Sequence, residues 1–475
     1  MTANTARART LFDKIWDAHV IADLGGDGQL LHIDRHILHE ASSPQAFQRL
    51  RVKGRRPCRP DLTYATIDHI IATTPGRTGA TYPGGVEFVS AMRRNCEEFG
   101  VTLFDLDDRR QGIVHVVAVE LGIALPGCTI ACGDSHTSTM GGIGALAWGA
   151  GASEVEHVLT TQTIVRRRPA SMRVSFKGQP GPAVSAKDLI LHLIGTHGAA
   201  GGTSHVVEYA GPAIESLSVE GRLTLCNMSV EFGARAGLIA PDDKVVEYFS
   251  GLEYAPKGAE WEAATAYWSG LRSEAGARFE QELVLDCEGL TPRVTWGTSP
   301  QYVAAVDGRV PAPEQAVGGA EGAAQALDYM GLQPGTPIAE IPIDVVFIGS
   351  CTNSRLSDFE AAAAIVTGRK IAPGVRALAV PGSRAVKEAA EAKGLDRVFE
   401  AAGFEWREPG CSMCLSMNDD VVAPGARCVS TSNRNFENRQ GRGSRTHLAS
   451  PATAAASAIA GTIADPRRFM AGGGG

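Results

Sequence analysis

The chain has 475 residues, 44% of them hydrophobic and 20% charged; at very roughly 150 residues per domain, that suffices for two to four domains around a large core. Its net charge of −7 argues for solubility and leaves no electrostatic footprint for nucleic acid. No apolar run reaches the about 18 residues of a membrane span, and residues 1–20 lack the apolar core of a secretion signal, so no membrane partner and a cytoplasmic location are expected. In such a compartment cysteines stay reduced, and a close cysteine pair is more often metal-binding or redox-active than structural.

In chain order, "GIVHVVAVELGIALPG" (112–127) reads as a strand and a helix around His115. "GCTIACGDSHTST" reads as a strand, Thr129–Cys132, feeding a polar loop. "GGIGALAWGAG" (141–151) holds only a loose G-x-G-x-x-A that follows a loop, so it reads as a closely packed helix and not as a dinucleotide fingerprint. "ASEVEHVLTTQTI" places Ser153 at a helix N-cap with Glu156 three residues on, a capping box. Arg166-Arg167-Arg168 reads as a solvated turn. A second α/β unit opens with "SMRVSFKG" as a strand and 186–194 as a helix. Residues 299–334, rich in Gly, Pro and Ala, read as a linker. The third unit is clearest: "IDVVFIGS" is a buried parallel strand, "SDFEAAAAIVTG" a helix capped by Ser357 and ended by Gly368, "VRALAVPGS" the next strand and "RAVKEAAEAKG" the next helix. The terminal "AGGGG" is expected to fray. The fold class expected is α/β, in units 1–170, 171–298 and 299–475, the last a doubly wound sheet.

Cys351 follows the strand Val345–Ile348, where an open α/β sheet places functional residues. Cys411 and Cys414, in "EPGCSMC", come after the next strand and helix, so three thiolates from adjacent strand ends can converge. Four thiolates would favour structural zinc, with Cys428 as the fourth; three with an open position suit an iron–sulfur cubane, and spacing leaves both open. Asp134, Ser135 and His136 in "CGDSHTST" suit acid–base work or ligation, as does Asp68-His69. His115, alone in an apolar run, reads as a core histidine. "STSNRNFENRQGRG" (430–443) crowds Asn433, Arg434, Asn435, Arg439 and Arg442 into one loop. Guanidinium forks match carboxylates in two-point contacts, so a carboxylate-bearing substrate fits.

These stretches, with "IDRHILHEASSPQAF", "SEVEHVLTTQT", "HVVEYAG", "LCNMSVEFGA" and "VFIGSCTNSR", resemble the aconitase family over nearly the whole chain, in its two-subunit isopropylmalate dehydratase branch. The resemblance implies three aconitase-like α/β domains around a central cluster site, without the family's swivelling fourth domain. It implies that Cys351, Cys411 and Cys414 hold one [4Fe–4S] cluster per subunit, with Cys428 not a ligand. Asp68 with His69 resembles the acid pair that protonates the departing oxygen. Asp134 with His115 and Glu231 with His136 resemble two further carboxylate–imidazole pairs. Ser135 and Asn227 resemble residues lining the substrate site, Asn433 one supporting the cluster, and Arg434 and Arg439 the carboxylate clamps. The implied reaction interconverts 2-isopropylmalate and 3-isopropylmalate by dehydration and rehydration in leucine biosynthesis, or handles another alkylmalate or a homocitrate-like substrate. The implied partner is a small subunit that brings the swivelling domain with a catalytic serine and a substrate-binding arginine. The chain departs from the family's usual text at Ile70, along 72–85, at Met140 and at Asn438, where Gly is usual.

Overall fold

A computed structural model describes residues 7–470; the glycine tail lies outside them. Three parallel sheets carry the architecture. The first orders its strands Thr102–Phe104, Thr63–Thr66, Arg35–His39, Thr129–Cys132, Leu146–Gly149. The second orders Ala236–Leu238, His205–Ala210, Ala170–Lys177, Gln281–Asp286. The third orders Glu405–Trp406, Arg376–Ala379, Val345–Ile348, Arg427–Ser430, Arg445–Leu448. Two small antiparallel sheets complete the strands: Val20–Gly25 with Gly28–His32 and Thr163–Arg167, and Arg293–Thr295 with Val303–Ala305.

All three parallel sheets share one winding rule. The chain lays strands outward from an inner one, then returns to build on that strand's other side. The reversal falls between Arg35–His39 and Thr129–Cys132 in the first sheet and between Val345–Ile348 and Arg427–Ser430 in the third. At such a reversal the flanking connections part and leave a crevice at the strand C-termini. The inner strands suit this setting. Thr129–Cys132 and Val345–Ile348 are buried at every position, as strands covered on both faces must be.

Several sequence expectations give way to the structure. Residues 112–127 contain a helix, Val114–Glu120, and no strand. The segment read as a helix at 141–151 leaves a 3-10 run and becomes the strand Leu146–Gly149. Its glycines do pack closely: a side chain on Gly142 would meet the backbone of Arg222 at 2.6 Å. The helix Ala152–Thr161 starts two residues earlier than expected: Gly151 is its N-cap, and Glu154 accepts the Gly151 N–H, only half of a capping box, which frees Glu156 to pair with Lys53. Arg166 and Arg167 end the strand Thr163–Arg167 instead of forming a turn. The presumed linker holds the helix Ala320–Met330, whose buried face is Ala323, Ala326, Leu327 and Met330. The helix after Cys351, Leu356–Val366, takes Arg355 as its N-cap, so Ser357 already lies in its first turn.

Candidate active site

Most predicted site residues sit past the C-terminal end of a parallel strand; His115, Asn227 and Glu231, in or just after helices, do not. Asp68 and His69 follow Thr63–Thr66, Asp134 to His136 follow Thr129–Cys132, Cys351 follows Val345–Ile348, and Asn433 to Arg439 follow Arg427–Ser430. Cys411 and Cys414 follow Glu405–Trp406, the outer strand of the third sheet. That strand is separated from Val345–Ile348 by Arg376–Ala379, so the thiols do not come from adjacent strand ends. Their loop reaches back instead, pinned by the Cys411 N–H donating to the Asp68 carbonyl at 2.8 Å.

The two crevices share one cavity of about 340 Å³, lined by His69, His115, Asp134, Ser135, His136, the three cysteines, Arg434 and Arg439. Asp134 is its centre: its carboxylate lies 2.9 Å from His115 Nε2, 3.2 Å from His69 Nε2 and 2.6 Å from the His136 N–H. Burial alone would raise its pKa, but these partners, His115 foremost, hold it well below the usual carboxylate range. Behind His69, Asp68 Oδ1 stands 2.5 Å from Nδ1, and Asp68 Oδ2 accepts the Val114 N–H at the start of a helix. Burial opposes a charge on His69, yet the Asp68 carboxylate raises its pKa well above the ordinary value. His136 is governed in the same way: burial lowers it, Glu231 at 3.0 Å raises it, and it settles at about 9. Glu231 also accepts from Arg434 Nε at 2.8 Å.

The donor set around the thiols fits a thiol-held cluster. Cys351, Cys411 and Cys414 are 4%, 3% and 5% exposed and face one cavity. The amides of Asn227 and Asn433 donate to Cys351 Sγ at 3.2 and 3.4 Å, a contact that favours sulfur carrying negative charge. Burial and the neighbouring Cys414 push the Cys351 thiol up to about 12, so its thiolate needs a cation beside it. Ser350 and Ser412, each next to a cysteine of the set, adopt φ of 76° and 47°, a strained geometry for residues with a side chain. Cys428 is elsewhere: it lies inside the strand Arg427–Ser430 with its Sγ 3.6 Å from the Val429 carbonyl, packed in a separate apolar cluster. A four-thiol zinc site is therefore not assembled from these cysteines.

Asn227 stands behind Cys351, not on the cavity wall; its Oδ1 accepts from Thr352 and Asn433. Asn435 is bonded to Thr295 and Gly297, away from the cavity. Arg439 lines the cavity beside Arg434; its Nη2 reaches Cys414 Sγ at 4.0 Å, and its buried Nε has no hydrogen-bond partner among the described residues. Ile70 is buried behind the wall and gives its N–H to Glu40.

Four participants escaped the sequence reading. Glu40, fully buried, accepts the backbone N–H groups of Asp68, His69 and Ile70 and so fixes the turn that carries the histidine. His39 stacks on His69 with ring centroids 4.1 Å apart. Both close the strand Arg35–His39, whose end at the sheet reversal was the available signal. Asn418 bridges the His69 and Ser412 carbonyls, and Lys187 reaches the carbonyls of Thr431 and Ser432; neither stands in a motif that could have pointed to it.

The arrangement sets carboxylate–imidazole pairs and two arginines beside three buried thiols that face the same cavity. The aconitase family (aconitate hydratase) profile matches residues 13–461, and the chain belongs to the aconitase family. A relative named 3-isopropylmalate dehydratase large subunit 1, from Bradyrhizobium diazoefficiens, is 57% identical over 463 residues, 97% of each chain. A solved structure, aconitase X of Thermococcus kodakaraensis in its holo-form, shares 13% identity with a TM-score of 0.46 over 86% of this chain and 84% of that one.

Proposed function

We propose that this chain is the large subunit of a 3-isopropylmalate dehydratase, interconverting 2-isopropylmalate and 3-isopropylmalate in the cytoplasm for leucine biosynthesis. One observation carries the reading: three buried thiols, His69 backed by Asp68, Asp134 and two arginines face a single cavity in a chain 57% identical to a relative of that name. We take 1–170, 171–298 and 299–475 as its three domains.

Cys351, Cys411 and Cys414 would hold one [4Fe–4S] cluster, which when bound supplies a Lewis-acidic iron for the substrate hydroxyl. Hydroxide is a poor leaving group and needs a proton as it departs. His69 is the donor, held protonated by Asp68. Asp134 accepts from His115 Nε2 and His69 Nε2 and keeps both imidazoles aimed into the cavity. Arg434, anchored through Nε to Glu231, and Arg439, with a free Nε, bind the substrate carboxylates and stabilise charge that builds beside them as the neighbouring carbon loses its proton. His136 with Glu231 braces that clamp, and the Ser135 hydroxyl, exposed at the cavity, orients the substrate. Asn227 and Asn433 support the Cys351 sulfur. The carbon-bound proton is taken by a serine of a small partner subunit, which also adds an arginine.

The test is anaerobic co-expression with the cognate small subunit, a visible spectrum, and ultraviolet detection of the unsaturated intermediate on isopropylmalate, citrate and other alkylmalates. A brown complex active on isopropylmalate is expected. A brown complex active only on another malate overturns the substrate, a colourless zinc-loaded chain overturns the mechanism, and full turnover by the large chain alone overturns the two-subunit reading.

A further inference from the structure

A second, larger cavity of about 750 Å³ adjoins the first and shares Ser135 with it. Four strands from three sheets line it; three are the outermost strands of their sheets, and the fourth, through Val206, is the inner strand His205–Ala210. Leu146–Gly149 closes the first parallel sheet, Ala236–Leu238 the second, and Thr163–Arg167 the small antiparallel one. The first two are closed off: Leu146, Ala147, Ala236 and Leu238 are at most 1% exposed, and the Gly237 N–H already donates to Ser138 Oγ at 2.9 Å. Thr163–Arg167, with Val165 and Arg167 exposed, is the accessible edge, the kind of template on which an extended segment adds itself. The floor is apolar, with Val230 and the exposed Val165. Trp148 is only 8% exposed, and its indole N–H has no acceptor among the described residues.

The rim is basic although the chain is acidic overall. Two of its arginines are compensated: Arg166 by Glu154, and Arg168 by Asp13 and Asp17. Arg167 and Arg235 are exposed and have no ion-pair or side-chain hydrogen-bond partner among the described residues. A groove of this size is far larger than a small dicarboxylate requires, and its chemistry calls for acceptors and carboxylates on an extended chain.

We propose that this groove is the docking surface for an acidic, extended segment of the small subunit, laid along the exposed edge of Thr163–Arg167 so that the partner's catalytic groups arrive at the cavity past Ser135. The inference rests on the two-subunit reading above. It adds where the partner is gripped and by which charges.

The test uses the cluster-loaded large chain and its cognate small subunit. Arg167→Glu with Arg235→Glu is expected to weaken association on the order of tenfold at low salt, with the deficit shrinking as salt rises. The visible absorbance, the melting temperature and kcat at saturating small subunit stay at wild-type values. Titrating in the small subunit also changes the tryptophan emission of the wild-type chain, and most of that change is absent in Trp148→Phe. Unaltered association of the charge-reversed chain, or an emission change that survives in Trp148→Phe, overturns the groove while leaving the need for a partner intact. Full turnover by the large chain alone overturns both.

Discussion

Asn438 stands where the family resemblance leads one to expect glycine, and its backbone shows why asparagine is accommodated there. Its φ is 65°, the left-handed region that asparagine enters more readily than other residues with a side chain. Its Oδ1 accepts the Gly443 N–H at 2.8 Å, and its own N–H reaches the Tyr329 hydroxyl. Asn438→Gly should therefore change stability by less than about 1 kcal/mol, whereas Asn438→Ala, which keeps the strain and loses the bond, should cost about 1–2 kcal/mol. Denaturant midpoints of the two variants decide it; equal losses would show that the left-handed backbone is not what this position demands. At this scale the sequence was legible wherever chemistry is compressed into a motif. The Cys411–Cys414 pair, Asp68-His69 and the Asp134–His136 stretch name themselves. Glu40 and Lys187 do not, because their partners lie 28 to 30 and 244 to 245 residues away, and only the folded sheets bring them together.

The helix Ala186–His197 shows how an element of the second sheet's unit serves the site. Ser185 and Asp188 close its capping box, which fixes the first turn and aims Lys187 inward. The Lys187 amine is fully buried, pushed down to about 7 by burial, and donates to Thr431 and Ser432 at 2.8 and 2.5 Å. Those two carbonyls immediately precede Asn433 and Arg434. Lys187→Met should leave them without a donor at a cost of about 1–3 kcal/mol. It should also speed loss of visible cluster absorbance in air. A variant that melts earlier but retains its cluster as well as wild type would show that the helix does not position this loop. Elements were readable when one periodicity dominated, as in the fully apolar Val345–Ile348. They were misread where glycine and alanine dilute the pattern. Leu146–Gly149 follows a glycine-rich stretch, and Ala320–Met330 buries small side chains that a sequence reading counts as weak.

Across the whole molecule, buried neutral histidines set an acid limit. His36 is fully buried with neither ring nitrogen partnered among the described residues, and burial pushes it down to about 3. His447 is also pushed to about 3 by burial, helped by Arg427. Arg427 can only donate to its Nε2, at 2.9 Å, so the ring must stay neutral to accept. Both folded-state values lie below that of an unfolded histidine. The unfolded chain therefore binds more protons below about pH 6.5, and stability falls as pH drops from there toward 3. At pH 5 each histidine should cost about 2 kcal/mol. Melting temperatures between pH 7 and pH 5 should fall less steeply for His36→Leu than for wild type; parallel curves would refute the assignment.

The site is divided along the chain as well as in space. The imidazoles lie between His39 and His136, and the thiols and arginines between Cys351 and Arg439. During synthesis the proton-handling wall is complete long before the first of the three thiols has been made. The carbonyls that Lys187 grasps come later still, and with them the arginines. On the proposed cluster reading, metal capture would be a late event, reached only after about three quarters of the 475 residues have been made. A ribosome that stalls before residue 351 would release a product with every imidazole of the cavity and none of its thiols.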